Sequence, residues 1–122
     1  MAYASAVALT VQTISRAGLS LTDGLVAPTA THGNKFLGTQ GRTFLYVVNE
    51  SVSPITVTLH ANRVIDGLTL PDQDVSVAAT ADGDGLDFLL IGPFTPTFEQ
   101  SDNYVWATFS EVADVLVGAF QL

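Results

Sequence analysis

Between Pro54 and Ala61 the side chains alternate: Ile55, Val57 and Leu59 fall on one face, Thr56, Thr58 and His60 on the other. A period of two belongs to a half-buried β-strand, because successive side chains point to opposite sides of a sheet. On a helix the same residues would be scattered around the cylinder. Residues 7–14 repeat the pattern, with Val7, Leu9 and Val11 opposite Ala8, Thr10 and Gln12, and Val75 and Val77 continue it briefly. In Tyr104 to Phe109, Tyr104, Trp106 and Thr108 oppose Val105, Ala107 and Phe109. Turn formers separate the runs: Asp23-Gly24, Gly41, Asn49-Glu50-Ser51, Asp66-Gly67, Asp82-Gly83-Asp84-Gly85, Gly92-Pro93 and Ser101-Asp102-Asn103. Seven or eight short strands with such punctuation predict an all-β domain, a β-sandwich of jelly-roll type, spanning residues 1–122 as one unit. No helix longer than a turn or two is expected, and there is no internal repeat.

Three runs break the alternation: Phe44 to Val48, Phe88 to Ile91 and Val115 to Phe120 are apolar on both faces. Such strands are covered on both sides, by a second sheet or by a neighbouring subunit. Composition agrees. The chain is 48% hydrophobic and 13% charged, where a soluble domain carries about 25% charged residues. More apolar surface is present than one small core absorbs, which predicts a protein that works in an assembly. Residues 17–41, rich in Gly, Thr and Ala, read as a long loop-rich excursion with at most one short strand. Long loops in compact domains are usually functional. This excursion and an N-terminal strand over residues 1–14, able to add to a neighbour's sheet edge, are the expected contact arms.

Charge narrows the partners. The net charge is -8, from twelve acidic against four basic residues, and Arg16, Lys35, Arg42 and Arg63 stand singly. Nucleic-acid binding draws on clustered cations that release counterions, so neither a nucleic acid nor an anionic membrane surface is an expected partner. The N-terminus has no basic stretch, and its apolar run is interrupted by Thr10 and Gln12, so a signal peptide is not expected. No apolar run approaches the roughly 20 residues of a transmembrane helix. There is no cysteine, which excludes disulfides and thiolate chemistry.

Motifs for catalysis are weak. Asp82-Gly83-Asp84-Gly85-Leu86-Asp87 sets three carboxylates on a flexible loop, the donor type that calcium prefers. Counted as an EF-hand loop from Asp82, however, the fifth position is Leu86, the sixth Asp87 and the twelfth Pro93, none of them fitting. Asp82, Asp84 and Asp87 are thus a weak metal candidate beside the plainer reading of a solvated turn. His32 and His60 have no partner at ligand spacing. No serine lies in a Gly-x-Ser-x-Gly elbow, and the glycines from Gly33 to Gly41 lack phosphate-loop spacing. Glu50, Glu99 and Glu111 fall near strand ends instead of lining a cleft. Neither catalytic residues nor a cofactor are expected. Tyr46, Phe94, Tyr104 and Trp106 could stack on a sugar or serve as core.

Two stretches, taken together, resemble a known family. One is Gly41-Arg42-Thr43-Phe44-Leu45-Tyr46-Val47-Val48-Asn49 with Ile55-Thr56-Val57-Thr58; the other is Ile91-Gly92-Pro93-Phe94 with Tyr104 to Phe109 and the apolar C-terminus. Over residues 40–122 the arrangement resembles the small β-sandwich capsid decoration (cement) proteins of tailed bacteriophages with an HK97-type coat. The resemblance implies a non-enzymatic virion protein on the outer capsid surface, present in the host cytoplasm before assembly. Its implied partners are the major capsid protein and itself, as a homotrimer or homodimer. The alternatives are another virion part, such as a head-tail joining or fibre-base protein, and a carbohydrate-binding module using Tyr104, Trp106 or Phe94.

Overall fold

The computed structural model describes residues 5–20, 24–38, 42–61, 64–69, 71–79, 87–94, 96–100 and 102–122. Its strands are β1 (Val7–Ala8), β2 (Val11–Thr13), β3 (Asn34–Leu37), β4 (Thr43–Asn49), β5 (Ile55–Leu59), β6 (Val64–Ile65), β7 (Leu68–Thr69), β8 (Gln73–Val77), β9 (Phe88–Ile91), β10 (Tyr104–Phe109) and β11 (Val115–Gln121). One sheet, here sheet A, has the order β1-β3-β10-β5-β8; the other, sheet B, has the order β2-β11-β4-β9. The strands β6 and β7 form a separate hairpin. A 3-10 turn spans Pro96–Phe98. The molecule is an all-β sandwich.

Nine strands in the two main sheets exceed the seven or eight expected, because the N-terminal run is split in two. The jelly-roll form is not confirmed by this order, in which β1–β3 and β2–β11 pair in parallel.

The alternation in the sequence is the alternation in burial. In β5, Ile55, Val57 and Leu59 are buried and Thr56 and Thr58 are half-buried on the other side. In β10, Val105 and Ala107 are buried while Tyr104 and Trp106 face outward. These inward residues meet Leu45 and Val47 of β4, Ile91 of β9, and Val115, Val117 and Ala119 of β11 in one core that also includes Phe36 and Phe94. Full burial of such side chains contributes roughly 1.5–3 kcal/mol each.

The N-terminal run stitches the two sheets together. Val7 and Ala8 pair with Asn34 and Lys35 in sheet A, and two residues later Val11 to Thr13 pair with Ala119 to Gln121 in sheet B. Leu9, at the crossing, is buried in the core, and its N–H donates to the Lys35 carbonyl at 2.7 Å. The described part of the expected contact strand over 1–14 therefore has its backbone paired within its own sandwich. The excursion over 17–41 carries β3 and a bridge between Val26 and Val117. Asn34, 2% exposed, ties both segments: its Nδ2 donates to the Val7 carbonyl at 3.2 Å and its Oδ1 accepts from the Thr29 N–H at 2.8 Å. Gly33 enters β3 with φ of 67° where a Cβ would lie 2.1 Å from the Ala107 carbonyl oxygen, so no other residue fits.

Asn49 closes the opposite end. It is fully buried at the end of β4. Its Nδ2 faces the carbonyls of Ser53, Val77 and Ala78 at 2.9, 3.3 and 3.1 Å, and its Oδ1 accepts from the Ser51 N–H at 3.0 Å. One side chain thus links the β4–β5 turn of sheet B to the end of β8 in sheet A. We expect Asn49→Asp, which keeps the shape and loses the donor, to lower stability by about 3 kcal/mol at neutral pH in urea denaturation. The deficit should narrow in acid. The surrounding carbonyls disfavour the introduced carboxylate, so its pKa in the folded state is raised and protonation at low pH restores a donor.

Candidate interaction surface

The three runs that are apolar on both faces, β4, β9 and β11, are neighbours in sheet B. Register sets their outer face: Tyr46 lies opposite Leu90 and Gly118, Val48 opposite Phe88 and Leu116, and Phe44 opposite Phe120. Since Leu45, Val47, Val115, Val117 and Ala119 fill the core, these intervening residues point away from it.

Part of this outer face is covered by the chain itself. Val26 and Val117 exchange backbone hydrogen bonds of 2.9 and 2.8 Å. That places Leu25 over Gly118, where an added Cβ would meet the Leu25 Cδ2 at 2.8 Å. Phe120 is fully buried beside it, edge-on to Tyr46 with ring centroids 6.3 Å apart. Cover ends there. Phe88 and Leu90 are 50% and 57% exposed. Leu25, Tyr46, Val48, Phe88 and Leu116 line an open depression of about 240 Å³ whose one charged side chain is Glu50 at the rim. A contiguous apolar face with a polar rim marks an interaction site more often than a neutral surface.

The outer face of sheet A is chemically opposite. His60 stacks on Trp106 with centroids 3.8 Å apart and planes 20° from parallel. Its Nδ1 is hydrogen-bonded to Asp72 Oδ2 and its Nε2 to Thr108 Oγ1, both at 2.9 Å. Asp72 is itself fixed by the Ala61 N–H at 3.0 Å, and Thr58 donates to Asp74 at 2.8 Å in the next row. The indole N–H of Trp106 donates to the His32 carbonyl at 2.8 Å, and the Lys35 ammonium lies 5.3 Å from the Tyr104 ring centre. Carboxylate, imidazole and hydroxyl follow the order of a hydrolytic triad. Here Thr108 lies in β10, His60 directly follows β5 and Asp72 directly precedes β8, on the solvent side of the sheet, and they hold the imidazole flat against Trp106. Sequence reading gave His60 no partner because Asp72 and Thr108 reach it through strand pairing, 12 and 48 residues away.

The other candidates are dispersed. Phe94 is 3% exposed and packs in the core against Phe36, with ring centroids 5.5 Å apart. Tyr104 and Trp106 lie on sheet A, each with a cation or ring against one face, and Tyr46 lies on sheet B. The four aromatics do not form one stacking platform. Glu50 and Glu111 share a depression at one end of the sandwich, while Glu99 packs against Gly38. Asp82 and Asp84 lie outside the described residues; Asp87 precedes β9, and its carbonyl accepts the Asn49 N–H at 2.7 Å. No family, curated protein or solved structure matches this chain.

Trp106 is the single tryptophan, so the sheet A network has its own optical reporter. We expect His60→Ala to red-shift the tryptophan emission and to cost about 1–2 kcal/mol, from loss of the stack and two partly exposed hydrogen bonds. Fluorescence-monitored urea unfolding reads both effects.

Proposed function

We propose that this protein is a virion structural protein, a capsid decoration (cement) protein that bridges neighbouring coat subunits of an HK97-type shell through the outer face of sheet B. The observation that carries this reading is the gathering of all three doubly apolar strands into one sheet, with Tyr46, Val48, Phe88, Leu90 and Leu116 left for a partner. A cement protein is dissolved before assembly and then buries apolar surface on a lattice. The polar, acid-bearing face of sheet A and the net charge of -8 serve the first requirement, and the face of sheet B serves the second. The family resemblance over residues 40–122 points the same way. The action is mechanical: added interface area resists separation of coat subunits under the pressure of packaged DNA, and no bond is made or broken. The major capsid protein is the partner, and the place is the outer capsid surface.

The test is co-sedimentation with expanded, undecorated coat shells of its own virus. Saturable binding near one copy per coat subunit or per local symmetry axis is expected. The double variant Val48→Lys with Leu116→Lys, which charges the centre of the face, should weaken that binding at least tenfold, and circular dichroism should show the fold retained. No binding, or a few copies per particle, would assign the protein instead to a joining or fibre-base position.

A further inference from the structure

The edge of sheet B formed by β9 carries a second surface, distinct in chemistry from the apolar face. The strand is Phe88-Leu89-Leu90-Ile91, and among the described residues nothing pairs with its outer side. The hydrogen bond from the Asn49 N–H to the Asp87 carbonyl fixes which groups are free. In an antiparallel ladder, residues alternate between turning both backbone groups toward the partner strand and turning both away. Asp87, Leu89 and Ile91 therefore turn toward β4, and Phe88 and Leu90 present their N–H and C=O groups to the outside. Their side chains are also the most exposed of the strand.

Edge strands are normally protected by a lysine, a proline, a bulge or a covering segment. β9 contains no charge, no proline and no polar side chain. On the opposite side of the same sheet, β11 is covered by the three-residue strand β2 and by the Val26 bridge. Among the described residues β9 is thus the longer and more apolar of the two edge strands of sheet B.

We propose that β9 pairs with β9 of a second copy of this chain, antiparallel about a two-fold axis through Leu89. An antiparallel edge is self-complementary, and isologous contacts about a two-fold axis are the commonest way identical chains associate. The register follows from the free groups. Phe88 of each copy lies opposite Leu90 of the other, so the two pairs exchange four backbone hydrogen bonds, and Leu89 meets Leu89 on the axis. This register also keeps like charges apart: each Asp87 lies opposite the other copy's Ile91, about 14 Å along the strand from its own counterpart. A one-residue slip would set outward against inward side chains and lose the match. The product is an eight-stranded sheet in which the two apolar outer faces become continuous, doubling the surface available for docking. The pairing does not depend on the capsid reading, since it is a property of the free protein.

The absence of native cysteine gives a direct test. In this register Leu89 and its copy form a non-hydrogen-bonded pair with Cα atoms about 4.5 Å apart, within disulfide range. Leu89→Cys is expected to form a covalent dimer under mild oxidant, while Ser76→Cys on the β8 edge stays largely monomeric. Sedimentation equilibrium of the unmodified protein should show a reversible dimer at concentrations between about 1 and 100 µM, as suits a small interface. Leu90→Pro removes an outward N–H without touching the pairing to β4, and should raise the dimer dissociation constant at least tenfold with the circular dichroism spectrum unchanged. A strictly monomeric protein, or cross-linking no faster at Leu89→Cys than at Ser76→Cys, would overturn the proposal; so would a dimer unaffected by Leu90→Pro. Shell binding by a monomeric protein would remove the β9 pairing and leave the capsid reading standing. A dimer that does not bind shells would do the reverse.

Discussion

The pairing of β4 with β11 is the constraint on which the rest of the molecule depends. The two strands run in register from Thr43 with Gln121 to Asn49 with Val115. This is the longest ladder in the fold, and it lies at the centre of sheet B. Its inner side chains build the core against Phe36, Val57 and Val105. Its outer side chains build the apolar face. A strand pair that has to serve both sides cannot alternate apolar with polar, which is why β4 and β11 read as continuous hydrophobic runs. Asn49 terminates the ladder at one end with a side chain committed to four backbone groups. The Val26 bridge and β2 occupy its free edge.

Much of this architecture is legible in the sequence because two-fold periodicity is a local property. Residues 55–59 and 104–109 show it cleanly, and they are β5 and β10 with the expected faces inward. The Asp66-Gly67 pair marks a tight turn, and both residues adopt positive φ, 53° and 80°, between β6 and β7 as a two-residue hairpin requires. What is illegible depends on contacts distant in sequence. The alternation over residues 7–14 continues through Leu9 and Thr10, so nothing local marks the point where the strand leaves sheet A for sheet B; that is set by where Asn34 and Gln121 lie in space. The sequence likewise lists three doubly apolar runs without saying that they are neighbours, and their adjacency is what turns three strands into one surface. The Asp72–His60–Thr108 row is hidden for the same reason, since its members are unremarkable polar residues at the start of β8, the end of β5 and within β10.

The two outer faces of the sandwich differ in what accompanies their aromatic residues. On sheet A, the outward-facing, half-buried Trp106 and Tyr104 each have a polar companion: His60 lies on Trp106 and Lys35 near Tyr104. These contacts take up π-surface that would otherwise be open to another molecule. On sheet B, Tyr46 and Phe88 line a depression with Leu25, Val48 and Leu116, and Glu50 stands at its rim.

The cover on sheet B is also directional. Leu25 reaches the outer face from the β11 side and stops at Gly118, a position where any side chain would push it away. Phe120 is fully buried on this side, and Phe88 and Leu90 are left as the exposed apolar groups on the other. The exposed region is consequently not a symmetric patch in the middle of a sheet. It runs from the depression between Tyr46, Val48 and Leu116 to the β9 edge, where free backbone groups and apolar side chains belong to the same two residues. A partner approaching from the β2 side meets the chain's own excursion, whereas one approaching from the β9 side meets both an apolar face and an unpaired strand. Hydrophobic burial alone is non-directional. Combined with a hydrogen-bonding edge of fixed register, it becomes a contact with a defined orientation.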